Sequence, residues 1–389
     1  MEGDYSTAWF GDEGKSSTNW LNLSPSLNGD DEVYSVVHVA AGESTLAGYT
    51  KSFGAGGSDM WLVKKYQRPA TFHGANNTPY GNISTFNTYM NWVQWSQTYG
   101  GSQDDGAKCL IQAIDGGYVL SGYTYSYGAG GSDMYLVKTD SSGNLLWTVT
   151  FGGLQDDGAN CIVQASDEGF VLAGYTNSDV SSQSTWVIKI DSSGTIEWSV
   201  ICPGKNATSL VRTLEGGYAL AVEYPYAFGL VKLDSSGQLL WNQTYPGLED
   251  DAKAESLVQT SDGGYALAGW TLTNSTSLYS GWLMKIDSSG NLEWDRTYPG
   301  IGLYSVIQTR DGGYATAGDH SYLIITDSSG NTLWNKYYDG LSEDHRETIF
   351  TRVYCVLQIS SNQFLMGEVQ DSYGYYDRGL GSELISITF

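Results

Sequence analysis

Residues 255–300 read ESLVQTSDGGYALAGWTLTNSTSLYSGWLMKIDSSGNLEWDRTYPG. Four short runs rich in Val, Ile, Leu, Tyr, Trp and Thr stand out: SLVQTSDGG, YALAGWT, GWLMKIDSSG and NLEWDRTYPG. Each is bounded by Gly, Asp, Asn or Ser, a pattern that predicts four antiparallel strands, here a to d. The Asp that opens the DSSG turn and the Gly at its left-handed position make a tight hairpin between c and d.

The same unit recurs along the chain. Its anchor is a Gly-aromatic step at Gly117-Tyr118, Gly169-Phe170, Gly217-Tyr218, Gly264-Tyr265 and Gly313-Tyr314, with aromatic spacings of 52, 48, 47 and 49 residues. A weaker copy ends at Phe364, and a degenerate first copy runs from Ser44 to Thr50. Runs such as Leu110-Ile111 and Tyr135-Leu136-Val137 are continuously apolar, as expected where both faces of a sheet are covered. Four strands every 40 to 50 residues or so is the period of a propeller blade. The expectation is an all-β, seven-bladed β-propeller.

The chain ends fit ring closure. The last unit supplies strands a, b and c but no d, while Thr18 to Leu23 near the N-terminus matches strand d of the other units. Residues 18–389 therefore read as one seven-bladed propeller whose last blade is closed by the N-terminal strand, which removes exposed edges. Residues 1–17 read as an extension or spare strand, too apolar at Tyr5, Trp9 and Phe10 for a free tail. An insertion at about 66–91 replaces the c–d turn of blade one.

Charge and composition narrow the function. Asp plus Glu total 43 against 19 Lys plus Arg, a formal charge of -24, which argues against nucleic acid as a partner. Charged residues are only 16%, replaced by Gly (49), Tyr (29), Ser, Thr and Asn, the make-up of a neutral, hydrogen-bonding exterior. No run approaches a transmembrane segment, and Met1 to Phe10 has no basic and apolar pattern of a secretory signal. Four cysteines in this length neither form a disulfide framework nor show zinc spacing. Cys109, Cys161 and Cys355 share a column that is otherwise Ser, which points to small buried thiols.

On DGGYxLxGxT, LVKxDSSGNxxW and TYGG segments, residues 18–389 resemble the secreted and cell-surface β-propeller repeat proteins of archaea and bacteria. Blade four departs from that pattern at Val222, as do blade one at its insertion and blade seven throughout. The resemblance implies an extracellular or cell-surface location and no particular reaction.

Several residue sets are candidate sites. Acidic pairs at Asp30-Asp31, Asp104-Asp105, Asp156-Asp157 and Asp250-Asp251 share the face of the b–c and d–a loops. Calcium is the cation such oxygen-rich loops suit, although their repetition equally fits carboxylates that cap their own loops or tie blades together. On the opposite face His38, Gln112, Gln164, Arg212, Gln259, Gln308 and Gln358 surround the axial channel, as ligand-binding groups or as a hydrogen-bonded collar. His73 and Tyr80 lie in the insertion, where a non-repeated segment on a rigid scaffold draws attention. The strand-d Trp column and the strand-c Lys column read as blade-to-blade packing and ion pairing. Sequons at Asn22, Asn76, Asn82, Asn206, Asn242 and Asn274 are candidate glycosylation sites.

No catalytic constellation, phosphate loop or required cofactor emerges from the sequence. The expectation is a binding or structural module that meets protein or glycan at the cell surface. A self-assembling subunit of a filament or surface layer, joined through residues 1–17, and a carbohydrate-active enzyme are the alternatives.

Overall fold

The protein is seen in a computed structural model that describes residues 32–40, 43–72, 86–178, 181–247, 252–273, 278–320, 322–337, 349–360, 363–372 and 382–388. Among these residues the regular elements are all strands. No helix is long and apolar enough to cross a membrane.

The strands form consecutive antiparallel meanders. The first sheet comprises Glu32–Ala40, Glu43–Thr50, Asp59–Phe72 and Phe86–Tyr99, and the second Asp105–Gln112, Tyr118–Thr124, Asp133–Thr139 and Leu145–Phe151. Four more sheets follow with the same order, their innermost strands at Asp157–Gln164, Asn206–Arg212, Ala252–Gln259 and Leu303–Gln308. A last sheet holds Ile349–Ser360, Gln363–Ser372 and Ser382–Thr388. Strand a of each sheet packs on strand a of the next, and the last sheet touches both the sixth and the first. The chain is an all-β propeller.

The expectation of seven four-stranded blades is corrected: six sheets have four strands, and the last has three among the described residues. The segment assigned to the missing strand, Thr18 to Leu23, and the extension 1–17 lie outside the described residues.

The repeated sequence columns are inter-sheet contacts. Strand-d Trp of one sheet meets the Gly-aromatic anchor of the next: Trp95–Tyr118 at 5.8 Å, Trp147–Phe170 at 6.4 Å, Trp198–Tyr218 at 6.0 Å, Trp241–Tyr265 at 6.3 Å and Trp294–Tyr314 at 5.5 Å between ring centroids. Tilted or edge-on aromatic pairs contribute about 0.5–1.5 kcal/mol beyond the area they bury. The apolar core accordingly lies between sheets, as where Val119 and Leu136 of the second sheet pack with Ile162, Phe170 and Ile188 of the third.

Polar columns reinforce the same seams. The Ser after the start of strand a accepts a backbone N–H from the next sheet: Leu110 N to Ser35 Oγ, Leu257 N to Ser209 Oγ, Val306 N to Ser256 Oγ and Val356 N to Ser305 Oγ, all at 3.0–3.1 Å. Cys109, Cys161 and Cys355 stand in this column, and neither they nor Cys202 form a disulfide. In the first five sheets a strand-c lysine pairs with an acid at the a–b turn, as in Lys138–Asp115 at 2.7 Å, Lys189–Asp167 at 2.6 Å and Lys285–Asp262 at 2.9 Å.

The insertion in the first sheet is not simply a loop. Strands c and d extend as a continued ladder from Gln67 paired with Asn91 to Phe72 paired with Phe86. It leaves from the c–d end, on the side of the a–b turns. His73 and Tyr80 lie outside the described residues.

Candidate functional site at the axial mouth

Every innermost strand carries a register shift at the same place, between Val33 and Ser35, Ala107 and Cys109, Ala159 and Cys161, Ala207 and Ser209, Ala254 and Ser256, Leu303 and Ser305, and Val353 and Cys355. Such a bulge adds one unpaired residue and re-aims its side chain. The extra residues are Tyr34, Lys108, Asn160, Thr208, Glu255, Tyr304 and Tyr354. The first six are all half-buried.

Strand-b glycine answers the bulge. A Cβ on Gly122 would lie 1.9 Å from the carbonyl oxygen of Gly106, and one on Gly269 would lie 1.9 Å from that of Lys253. The Gly in the SGYT and AGWT segments therefore makes room for the bulged backbone.

The bulges lie at the d–a end of the innermost strands, where several of their side chains meet a neighbouring sheet. The Lys108 ammonium sits 3.7 Å from the centroid of the Tyr34 ring and 5.9 Å from that of Tyr123. Burial lowers the Lys108 pKa; Lys253, from a sheet across the ring, lowers it further, and the Glu32 charge opposes both. Lys253 pairs with Glu255 at 3.1 Å, and Glu255 also accepts Trp270 Nε1 at 3.1 Å. Asn160 Nδ2 donates to Asn206 Oδ1 at 2.6 Å and to the Ala207 carbonyl at 2.9 Å. Tyr304 donates its hydroxyl to Asp319 at 3.0 Å, while Gly302 N holds the other Asp319 oxygen at 2.7 Å. Outward from the mouth, Tyr123 and Tyr125 rings lie 6.0 Å apart, beside a depression of about 420 Å³ lined by Gly57, Gln103, Asp104 and Tyr125.

The acidic pairs occupy the seams around this mouth. Asp104 Oδ1 accepts Ser58 N at 2.8 Å, and Asp156 Oδ1 accepts Ser132 N at 2.9 Å, so the first Asp of each pair ties its loop to the preceding blade. The second Asp turns into its own loop: Asp105 accepts Gly101 N at 2.7 Å and Asp157 accepts Gly153 N at 2.8 Å. Asp59 and Asp133 face Asp105 and Asp157 across the seams. Burial raises the pKa of both, and the neighbouring carboxylate adds to it against the loop N–H groups of Ala55 and Ala129. Among the described residues no three His, Cys, Asp or Glu side chains gather as a metal-binding group. Asp30, Asp31, Asp250 and Asp251 lie outside the described residues.

On the opposite face the glutamines bind backbone. Ile114 N donates to Gln164 Oε1 at 2.9 Å, Leu214 N to Gln259 at 2.7 Å, Ser261 N to Gln308 at 2.8 Å and Arg310 N to Gln358 at 3.0 Å, each across a seam. Gln112 Nε2 donates to its own turn at Gly116 O. Arg212 breaks the column with an exposed side chain, and the His38 side chain lies outside the described residues. Of the sequons, Asn206 is engaged in the mouth and Asn242 is exposed on strand d, while Asn22, Asn76, Asn82 and Asn274 lie outside the described residues.

The bulge column is what sequence reasoning missed. Its signal is a position between two constrained columns, Ala, Val or Leu before and Ser or Cys after, that carries Tyr in three units and Lys, Asn, Thr and Glu in the other four.

No family model and no curated protein matches the sequence. Among solved structures, the chain is similar to the Dos1 propeller, at 12% identity over 95% of this chain and 94% of that one with a TM-score of 0.51. It is also similar to the WD40 β-propeller domain of Doa1, at 11% identity over 95% of both chains with a TM-score of 0.50. At these identities the likeness concerns the fold alone.

Proposed function

We propose that this chain is a non-catalytic binding module of the cell surface or extracellular space, and that its ligand enters the axial mouth on the face of the d–a loops. One observation carries the reading: the scaffold columns repeat from sheet to sheet, whereas the bulged positions at the axis hold Tyr34, Lys108, Asn160, Thr208, Glu255 and Tyr304. Packing alone has no use for chemical variety at one structurally equivalent position, and a recognition surface does. Extracellular residence draws support from the repeat resemblance and from the scarcity of basic residues.

The same reading includes ring closure. The three-stranded last sheet becomes a seventh blade when Thr18 to Leu23 supplies its fourth strand, and residues 1–17 then dock on the same chain. Deletion of residues 1–17 separates this from strand exchange between copies: self-docking lowers the unfolding midpoint of a monomer, whereas exchange abolishes polymer and leaves the propeller intact.

The test of the binding reading screens the chain against oligosaccharide and peptide arrays beside a Lys108→Ala, Glu255→Gln, Tyr304→Phe variant. Binding lost in that variant and kept in a Gln164→Ala variant on the other face supports the mouth; binding indifferent to the first variant refutes it. Turnover of a bound saccharide, read as new reducing ends, favours the carbohydrate-active enzyme instead.

A further inference from the structure

We infer that the axial mouth is built for a neutral, hydroxyl-rich ligand, the end of an uncharged saccharide chain. This rests on the mouth being the ligand site and adds the ligand's chemical class.

The lysines of the mouth already have counter-charges. Lys253 is bonded to Glu255, and Lys108 lies over the Tyr34 ring within the field of Glu32. Asp319 holds the Tyr304 hydroxyl and the Gly302 N–H. An ionic ligand would have to break one of these pairs, and truncating or stranding one member of a desolvated pair is costly. Around the mouth the chain's charge of -24 repels polyanions such as nucleic acid or a uronate polymer.

What remains is hydrogen-bonding capacity of both signs, fixed in place. The Asn160 and Asn206 carboxamides are held by one shared bond, which leaves the Asn160 carbonyl oxygen and the Asn206 amide group to a partner. Glu255 is oriented by Trp270 and retains lone pairs on its carboxylate. Sugar hydroxyls both donate and accept, and they gain charge-assisted bonds from such carboxylates without adding charge of their own.

Flat apolar surface stands beside these groups. Trp270 packs edge-on against Tyr279 at 5.0 Å, and Tyr279 is 52% exposed. Tyr34 and Tyr123 flank Lys108, and Tyr125, 43% exposed, extends the aromatic border outward. Aromatic faces rimmed by polar groups suit the C–H faces of pyranose rings.

The experiment offers the full chain an array of neutral gluco-, manno-, galacto- and N-acetylhexosamine oligosaccharides, with uronate-containing oligosaccharides and short peptides as separate arms, and follows hits by calorimetry. The expected result is binding of a neutral oligosaccharide, weakened about tenfold or more, a loss of some 1.4 kcal/mol, by Glu255→Gln and by Trp270→Ala, and unchanged by Gln164→Ala. Thermal unfolding checks each variant, and Tyr279→Ala replaces Trp270→Ala if the latter fails to fold. A uronate or peptide ligand sensitive to Glu255→Gln overturns the neutral class while the mouth stands. A neutral ligand insensitive to all the mouth variants overturns both. Failure of every neutral oligosaccharide to bind at millimolar concentration overturns the inference alone.

Discussion

Trp241 on the outer strand of one sheet meets Tyr265, the anchor that begins strand b of the next, at 6.3 Å and an interplanar angle of 74°. Two sequence columns some 24 residues apart are thus the halves of one contact, repeated around the ring. Trp241 is half-buried while Tyr265 is fully buried. Trp241→Ala is expected to destabilise by about 2 kcal/mol, below the range for a fully buried Trp. Leu240→Ala, next to it and 55% exposed, should change stability by less than about 0.5 kcal/mol. Urea unfolding compares the two, and equal midpoints would refute the pairing as a source of stability.

Gly122 and Gly116 are both glycines, but for different reasons. A methyl on Gly122 would press on the bulge carbonyl at 1.9 Å, whereas one on Gly116 meets nothing within 4 Å and strains only the backbone at φ +82°. Gly122→Ala is expected to cost about 3 kcal/mol, the upper end for overpacking. Gly116→Ala should cost about 1 kcal/mol, as a non-glycine residue in the left-handed region does. The order of their unfolding midpoints is the measurement, and the reverse order contradicts the bulge account.

Acid should loosen the a–b turns. Burial opposes ionisation of Asp262, yet hydrogen bonds from Thr260, Lys285 and Gly264 N, with the Lys285 charge, outweigh it and bring its pKa to about 2. A carboxylate with a depressed folded pKa stabilises the fold fully above its unfolded value of 3.8 and loses that contribution as pH falls toward about 2. Asp115 and Asp167 shift the same way beside Lys138 and Lys189. Asp59 and Asp133, raised, act oppositely, since protonation relieves them. The unfolding midpoint should drop between about pH 4 and 2, and Asp262→Asn should make that drop shallower. A variant with the wild-type slope counts against the assignment.

Arg212 interrupts a collar in which Gln accepts the turn N–H of the preceding blade. Arg has no acceptor, so Arg212→Gln restores the geometry that Gln259 offers to Leu214 N at 2.7 Å. At an exposed seam the gain should be about 0.5 kcal/mol. A midpoint unchanged or lowered in chemical denaturation speaks against the collar as a seam element.

The scaffold was legible because each structural contact leaves a residue type in most units: Trp147 and Phe170 and Gln164 beneath Ile114 across seams, and Lys138 with Asp115 within a blade. The site was not, because a bulge is a shift of backbone register, whose traces in sequence are a glycine such as Gly122 that accommodates it and a single position between two constrained columns. Repeat searching also turns attention away from Lys108 and Glu255, whose distinguishing feature is that their column does not repeat. The hairpin extension from Gln67 to Phe72 escaped notice because its polar, Pro-containing strand lacks alternation.

The bulge also bears on how such a chain diversifies. Duplicating one unit copies the seam columns and adds one more bulged position, whose contacts are local rather than part of those columns. Mutation there alters what the mouth offers and leaves the Trp and Ser seam columns in place. A lineage of these rings can therefore drift in specificity one spoke at a time, each step leaving the seam columns untouched, with the glycine on the second strand as the inherited mark of where the change is permitted.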